Sequence, residues 1–246
     1  MQALPIRVVL IDTSHPGNIG ATARAMKNME LDELALVRPR QFPHPEAVAR
    51  ASGADDVLQS ARVCTTLAEA LSGCGWVVAT TARPRDHYFR VLDVRAAAER
   101  AVREAMLAPV GIIFGPEQSG LANEDLSCAH ALLRIPTGAQ YASLNLSMAV
   151  QVVAYEIMRA RNLPPEPPPP REQPLAAPED MARLYEHLEQ VLLEIDFKDR
   201  TQRGDNLINR IRRFLQRAEL DKNEVNILRG VLTAVQQRRR RAGTEP

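Results

Sequence analysis

Four short segments hold the residue types that bind and activate small polar groups, each just beyond an apolar run. The first is Asp12-Thr-Ser-His-Pro-Gly-Asn-Ile-Gly-Ala-Thr-Ala-Arg24. A polar, glycine-containing loop there opens a helix near Asn18, and the unpaired N–H groups of a helix start suit a phosphate. Taken alone it is equally an ordinary capped helix. Its spacing matches neither GxGxxG nor the P-loop, so dinucleotide and NTPase chemistry are not supported. Arg24 sits among Ala21, Ala23, Ala25 and Met26, and a guanidinium on a partly apolar face needs a partner or an anionic ligand. The second segment is Thr80-Thr-Ala-Arg-Pro-Arg85, whose hydroxyls and backbone groups can hold a small polar ligand or simply form a solvated loop. In the third, Phe114-Gly-Pro-Glu-Gln-Ser-Gly-Leu121, two glycines allow close backbone approach beside Glu117. In the last, Ile135-Pro136 is followed by Tyr141 to Ser147, where Ser143, Asn145 and Ser147 open a long helix. Residues of those types at a helix start are usually caps.

Positioning these segments requires strands that end where they begin. Ile6–Ile11, Trp76–Thr80 and Val110–Phe114 are short and almost continuously apolar, the pattern of strands buried on both faces. Glu33–Val37 and Leu132–Ile135 read as two more. Helical stretches lie near 18–29, 66–72, 94–106, 123–128 and 144–161. Strands alternating with helices predict an α/β domain with a mainly parallel sheet over residues 1–162, and ligands in such sheets bind beyond the carboxyl ends of the strands.

The chain then changes character. Seven of the twelve residues from Leu163 to Pro174 are proline. Without backbone donors and with φ fixed, such a stretch forms an extended spacer of about 3.1 Å per residue where regular. Residues 163–176 are therefore read as a linker. Three helical patterns follow, near 178–194, 205–219 and 222–239, giving a small all-α domain over 177–246 with a thin core. The net charge of +1 hides an uneven distribution. Arg200 to Arg241 holds twelve Lys or Arg against four Asp or Glu, whereas Arg171 to Asp199 holds three against eight. The basic stretch suits an anionic partner. Three cysteines, Cys64, Cys74 and Cys128, indicate neither a disulfide framework nor a zinc site. No apolar run is long enough to span a bilayer, so a cytoplasmic protein without membrane or metal is expected.

Taken together and in order, the four segments resemble the SPOUT class of RNA methyltransferases, in its TrmH-like branch. The pattern N-x-G-x-x-x-R falls on Asn18, Gly20 and Arg24, and F-G-x-E-x-x-G-L on Phe114, Gly115, Glu117, Gly120 and Leu121. I-P followed by S-L-N-x-S falls on Ile135, Pro136, Ser143, Leu144, Asn145 and Ser147. The likeness spans residues 5 to about 161. Ser14-His15, the run Ala149 to Tyr155 and the segment Glu224 to Gly230 resemble those enzymes of the branch that methylate tRNA ribose at anticodon-loop position 32.

The resemblance implies a sheet whose C-terminal part is threaded into a trefoil knot, a rare exception to the rule against knots. It implies S-adenosyl-L-methionine held in the knot loops, by position Thr80, Thr81, Ala82, Arg83, Gly115, Gly120, Ile135, Ala142, Ser143 and Leu144. It implies a homodimer with each active site built from both subunits, and tRNA as partner. Catalytic roles then fall on Asn18, Arg24, Glu117, Ser143 and Asn145. Arginine is normally too basic to be a base, so Arg24 either activates the 2′-hydroxyl or acts as an electrostatic clamp on the alkoxide or an adjacent phosphate. Asn18 would orient Arg24 or the ribose. Glu117 would pair with an arginine or bind the polar end of the cofactor. Ser143 and Asn145 would hold the cofactor or the reacting hydroxyl. Ribosomal RNA, another tRNA position, or a non-catalytic RNA-binding role on the same fold are the competing readings.

Overall fold

A computed structural model describes residues 4–82, 90–138, 143–162, 174–197 and 206–242. Arg83, Tyr141 and Ala142, and most of the proline-rich stretch, lie outside the described residues. The first domain is a seven-stranded sheet: β1 Ile6–Ile11, β2 Glu33–Val37, β3 Arg62–Cys64, β4 Trp76–Thr80, β5 Val91–Asp93, β6 Val110–Phe114 and β7 Ala131–Arg134. The spatial order is β3-β2-β1-β6-β4-β7-β5, and every pairing is parallel. Register aligns Val8 with Leu34 on one side and Ile112 on the other.

The apolar strands are buried on both faces. Val8 and Leu10 enter one core cluster with helices α1 Pro16–Asn28, α2 Pro45–Ala51, α5 Val94–Ala105 and α7 Leu146–Arg161. Val9 and Ile11 enter a second cluster on the opposite face. Its helical cover comes from α4 Leu67–Ala70 and α6 Asn123–Leu126. The short helix α3 Asp55–Gln59 packs on the α1 side. Four elements were not anticipated: α2, α3, and the edge strands β3 and β5. The first helix begins at Pro16 rather than Asn18, and the long helix at Leu146 rather than 144.

Gly20 fixes how α1 meets α2. A Cβ there would lie 2.0 Å from the carbonyl oxygen of Ala47, and backbone cannot yield as a side chain does. Gly20→Ala is expected to push the helices apart and destabilise the fold by about 1–3 kcal/mol, read from urea or thermal unfolding. Unchanged stability would mean that α1 and α2 separate freely.

Helices α8 Pro178–Glu194, α9 Asn206–Ala218 and α10 Lys222–Ala242 form the C-terminal domain. Its small core gathers Ala176, Met181, Leu184, Tyr185, Leu215 and Val225. Leu175 and Ala176, assigned to the linker by the sequence, are buried instead. Leu175 bridges to Asp221 and packs into the core of the first domain. The helical domain is docked, not merely tethered. Arg100 on α5, 7% exposed, bonds Glu104, 5% exposed, and reaches Glu219 at 2.8 Å. Gln216 accepts from the Tyr185 hydroxyl at 2.6 Å and donates to the Cys128 carbonyl at 3.1 Å. The Arg100 guanidinium also lies over the Trp76 ring.

Candidate active site

The loops that leave β4, β6 and β7 converge beyond the carboxyl edge of the sheet around an open cleft of about 180 Å³. Of the expected cofactor residues, Thr80, Thr81, Ala82, Gly115, Gly120, Ile135, Ser143 and Leu144 all line it, with Phe114, Glu117 and Thr137. The mixture of apolar walls with a few hydroxyls and backbone groups suits a small-molecule site. Thr80 does not offer its hydroxyl proton to the cleft, because Oγ1 donates to the Ile113 carbonyl at 3.0 Å. The third loop is folded tightly upon itself. Gly120 has φ of +67° and donates its N–H to Pro116. A Cβ on Gly115 would fall 2.5 Å from the Leu121 nitrogen. Both positions therefore call for glycine.

Glu117 is half-buried at the end of this cleft next to the start of α1. That helix lacks a side-chain cap of its own at His15, and the Glu117 carboxylate takes the place of one. Its Oε2 accepts from Ser14 N at 3.1 Å and Ser14 Oγ at 2.9 Å. Its Oε1 accepts from His15 N at 3.4 Å and Asn18 Nδ2 at 2.8 Å. A carboxylate facing helix N–H groups is favoured by both hydrogen bonding and the helix dipole. The resemblance offers Glu117 an arginine or the polar end of the cofactor; among the described residues it is held by Ser14, the His15 backbone and Asn18. Asn18, expected to orient Arg24 or the ribose, gives its amide nitrogen to Glu117. The chain of bonds continues. Asn145 Nδ2 donates to Asn18 Oδ1 at 3.1 Å. Asn145 Oδ1 caps α7 by accepting from Ser147 N at 2.9 Å and Ser147 Oγ at 2.7 Å. Three motifs, bonded across 99 and 127 positions, are thereby joined in one network.

Burial pushes the Glu117 carboxyl up, but the bonds from Asn18, its own backbone and Ser14 outweigh it and hold it at about 2. The folded value lies below the unfolded value of about 4.3. The stabilisation is therefore complete above that value and is lost as pH falls through about 2. Glu117 stays ionised across the working range, so it has no proton to give as a general acid there and is only a weak base. Glu117→Gln is expected to lower activity and weaken the α1 start, since one end of the amide would face donors with a donor. It should leave the shape of the pH–rate profile between about pH 5 and 9 unchanged. A wild-type limb in that range that vanished in the variant would refute this.

Arg24 is not brought to the cleft. It is exposed on α1, with one long contact from Nη1 to Ser52 Oγ at 3.5 Å. Six residues separate it from Asn18, about 9 Å along the helix and about 240° around it, so the two side chains leave α1 in different directions. Sequence reasoning missed Ser14 as a partner of Glu117; the available signal was a hydroxyl just before a helix with no cap of its own. Among the described residues no cluster of His, Cys, Asp and Glu could hold a metal ion, and no helix is long and apolar enough to cross a membrane. The cysteines are free, and burial pushes the Cys74 thiol up to about 11 and Cys128 to about 12.

Two family profiles match the chain: SpoU rRNA Methylase over residues 5–155 and the C-terminal domain of the tRNA methyltransferase TrmJ over 179–244. The tRNA (cytidine/uridine-2′-O-)-methyltransferase TrmJ of Pectobacterium atrosepticum is 43% identical over 94% of this chain and 96% of its own. The tRNA (cytidine/uridine/adenosine-2′-O-)-methyltransferase TrmJ of Pseudomonas aeruginosa is 44% identical over 94% and 93%. Among solved structures, TrmJ from Z. mobilis ZM4 superposes with a TM-score of 0.80 at 36% identity, covering 94% of this chain and 98% of that one. An AdoMet-bound rRNA methyltransferase from Sinorhizobium meliloti gives 0.52 at 27% identity, covering 66% and 59%.

Proposed function

The chain belongs to the SpoU rRNA methylase family, in its TrmJ branch, and from that premise we propose that it methylates the ribose 2′-hydroxyl of a tRNA anticodon-loop cytidine or uridine, at position 32. S-adenosyl-L-methionine is the methyl donor in this reading. The observation that carries it is the Glu117–Asn18–Asn145 network at the edge of a cleft lined by all the described cofactor-loop residues.

The bound cofactor supplies a methyl already activated for in-line displacement. The residues of the chain must hold the two reactants in line and assist loss of a proton from a weakly acidic hydroxyl. The strand-end backbone around Thr81, Gly115 and Ile135, with the Ser143 hydroxyl, forms the cradle for the cofactor. Its glycine-tight loop allows the backbone to approach closely. Asn145, bonded to Asn18, holds the cofactor or the reacting hydroxyl. Arg24 meets the developing alkoxide or the neighbouring phosphate.

Because Arg24 lies away from the cleft of its own subunit, the reading includes a homodimer in which each Arg24 serves the partner's site. Met148 and Tyr155 on α7 are 61% and 46% exposed, seven residues apart and so on one helix face, an apolar surface for a second copy. The trefoil threading would explain how the loops after β6 and β7 meet although β4 lies between those strands. A cytoplasmic location accords with a tRNA substrate. The test is labelled S-adenosylmethionine with bulk tRNA, followed by mapping of the modified nucleotide. Label at a ribose of position 32 supports the reading. Label only in ribosomal RNA or at another tRNA position replaces it with the corresponding alternative.

A further inference from the structure

The second serine of the S-L-N-x-S segment has no role in the mechanism so far, yet it closes the hydrogen-bond network. The direction of every bond follows from Glu117. Ser14 N and His15 N can only donate, so the carboxylate accepts, and Asn18 must present its amide nitrogen to it. Asn18 Oδ1 therefore faces Asn145, which must present its own nitrogen. Asn145 Oδ1 is then turned toward α7, where it accepts from the backbone N–H of Ser147, fixing the same orientation from the other end. The Ser147 hydroxyl at 2.7 Å from Oδ1 can only donate to it.

We propose that Ser147 is a positioning residue for the methyl-transfer reaction, acting through Asn145. The inference rests on the function proposed above. Two donors on Oδ1 and one acceptor on Nδ2 leave the Asn145 amide a single orientation, with one N–H free for substrate or cofactor. Without the hydroxyl, the amide keeps only the backbone bond at that oxygen, and the chain of donors running toward Glu117 loses its last member. Cap formation is a separate matter, because alanine at 147 keeps its backbone N–H. The variant therefore removes the positioning bond and leaves the helix start.

Ser147→Ala in the full chain is expected to lower kcat by about 10- to 100-fold, the scale of a small misplacement of a reacting group. The KM for tRNA, the affinity for S-adenosylmethionine and the melting temperature should stay near wild type. Ser147→Thr, which restores the hydroxyl, should recover most of the rate. Side-chain amide NMR of protein labelled at asparagine provides a readout independent of turnover. The Asn145 amide, assigned by its absence in Asn145→Ala, should move toward the position of an unrestrained amide in Ser147→Ala and return in Ser147→Thr. Wild-type kcat in Ser147→Ala, equal loss in the alanine and threonine variants, or an unmoved amide would each overturn the inference. Absence of methylation by the wild type would instead overturn the proposed function, and the amide spectrum would still decide whether Ser147 sets Asn145.

Discussion

Arg24→Ala is expected to lower methyl transfer by at least about 100-fold, the scale on which a single electrostatic stabiliser of a developing anion acts. S-adenosylmethionine should still bind, since Arg24 is not among the residues lining the cleft. Stability should hardly change, because the side chain is exposed and its hydrogen bond to Ser52 among the described residues is long. Near-normal turnover would make Arg24 a surface residue and remove it from the mechanism. The placement of Arg24 adds a sharper test. Arg24→Ala and Asn145→Ala homodimers should both be inactive. Random mixing of the two should restore about a quarter of wild-type activity if Arg24 serves the partner's site. Half of the dimers are then mixed, and each has one site with both residues intact. If Arg24 served its own subunit, every site in the mixed dimer would carry a defect and nothing would return.

The sheet was legible because its central strands are buried on both faces. A continuous run such as Val8 to Ile11 feeds alternate residues to two core clusters, and its shortness and β-branched content mark it as a central strand rather than a buried helix. The edge strands gave no such signal. β5 is three residues long, with Val91 half exposed, so its pairing depends on β7 rather than on its own composition. The site was legible as separate motifs but not as a network. Asn18 and Asn145 each read as ordinary helix-start residues, and only the fold shows one amide bonded to the other across 127 positions. Arg100 and Glu104 look, in sequence, like a solvated pair one turn apart. In the fold the pair is buried and Arg100 reaches Glu219 of the helical domain, a partner that no local pattern contains.

The same docking sorts the basic run by what each arginine does, and from this the second large effect follows. Arg212 is engaged with Glu189 and stacks over the Tyr185 ring, so it holds α9 to α8. Arg210, Arg217 and Arg238 are exposed. Replacing these three with glutamine should weaken tRNA binding steeply while leaving the fold and cofactor affinity intact. Each lost phosphate contact reduces the slope of log affinity against log salt by about 0.7 to 0.9. A triple variant should therefore flatten the slope by about 2 to 3 and raise the KM for tRNA by tenfold or more at moderate salt, with kcat little changed at saturating tRNA. Arg212→Gln is the contrasting case. It should lower stability through lost packing on Tyr185, with a smaller change in salt slope than the triple variant. Removing the whole domain is a poorer test, because it would strip Glu219 from Arg100 and uncover the core around Leu175. An unchanged salt slope in the triple variant would show that these three arginines do not touch RNA, and the grip on tRNA would then have to come from other basic residues.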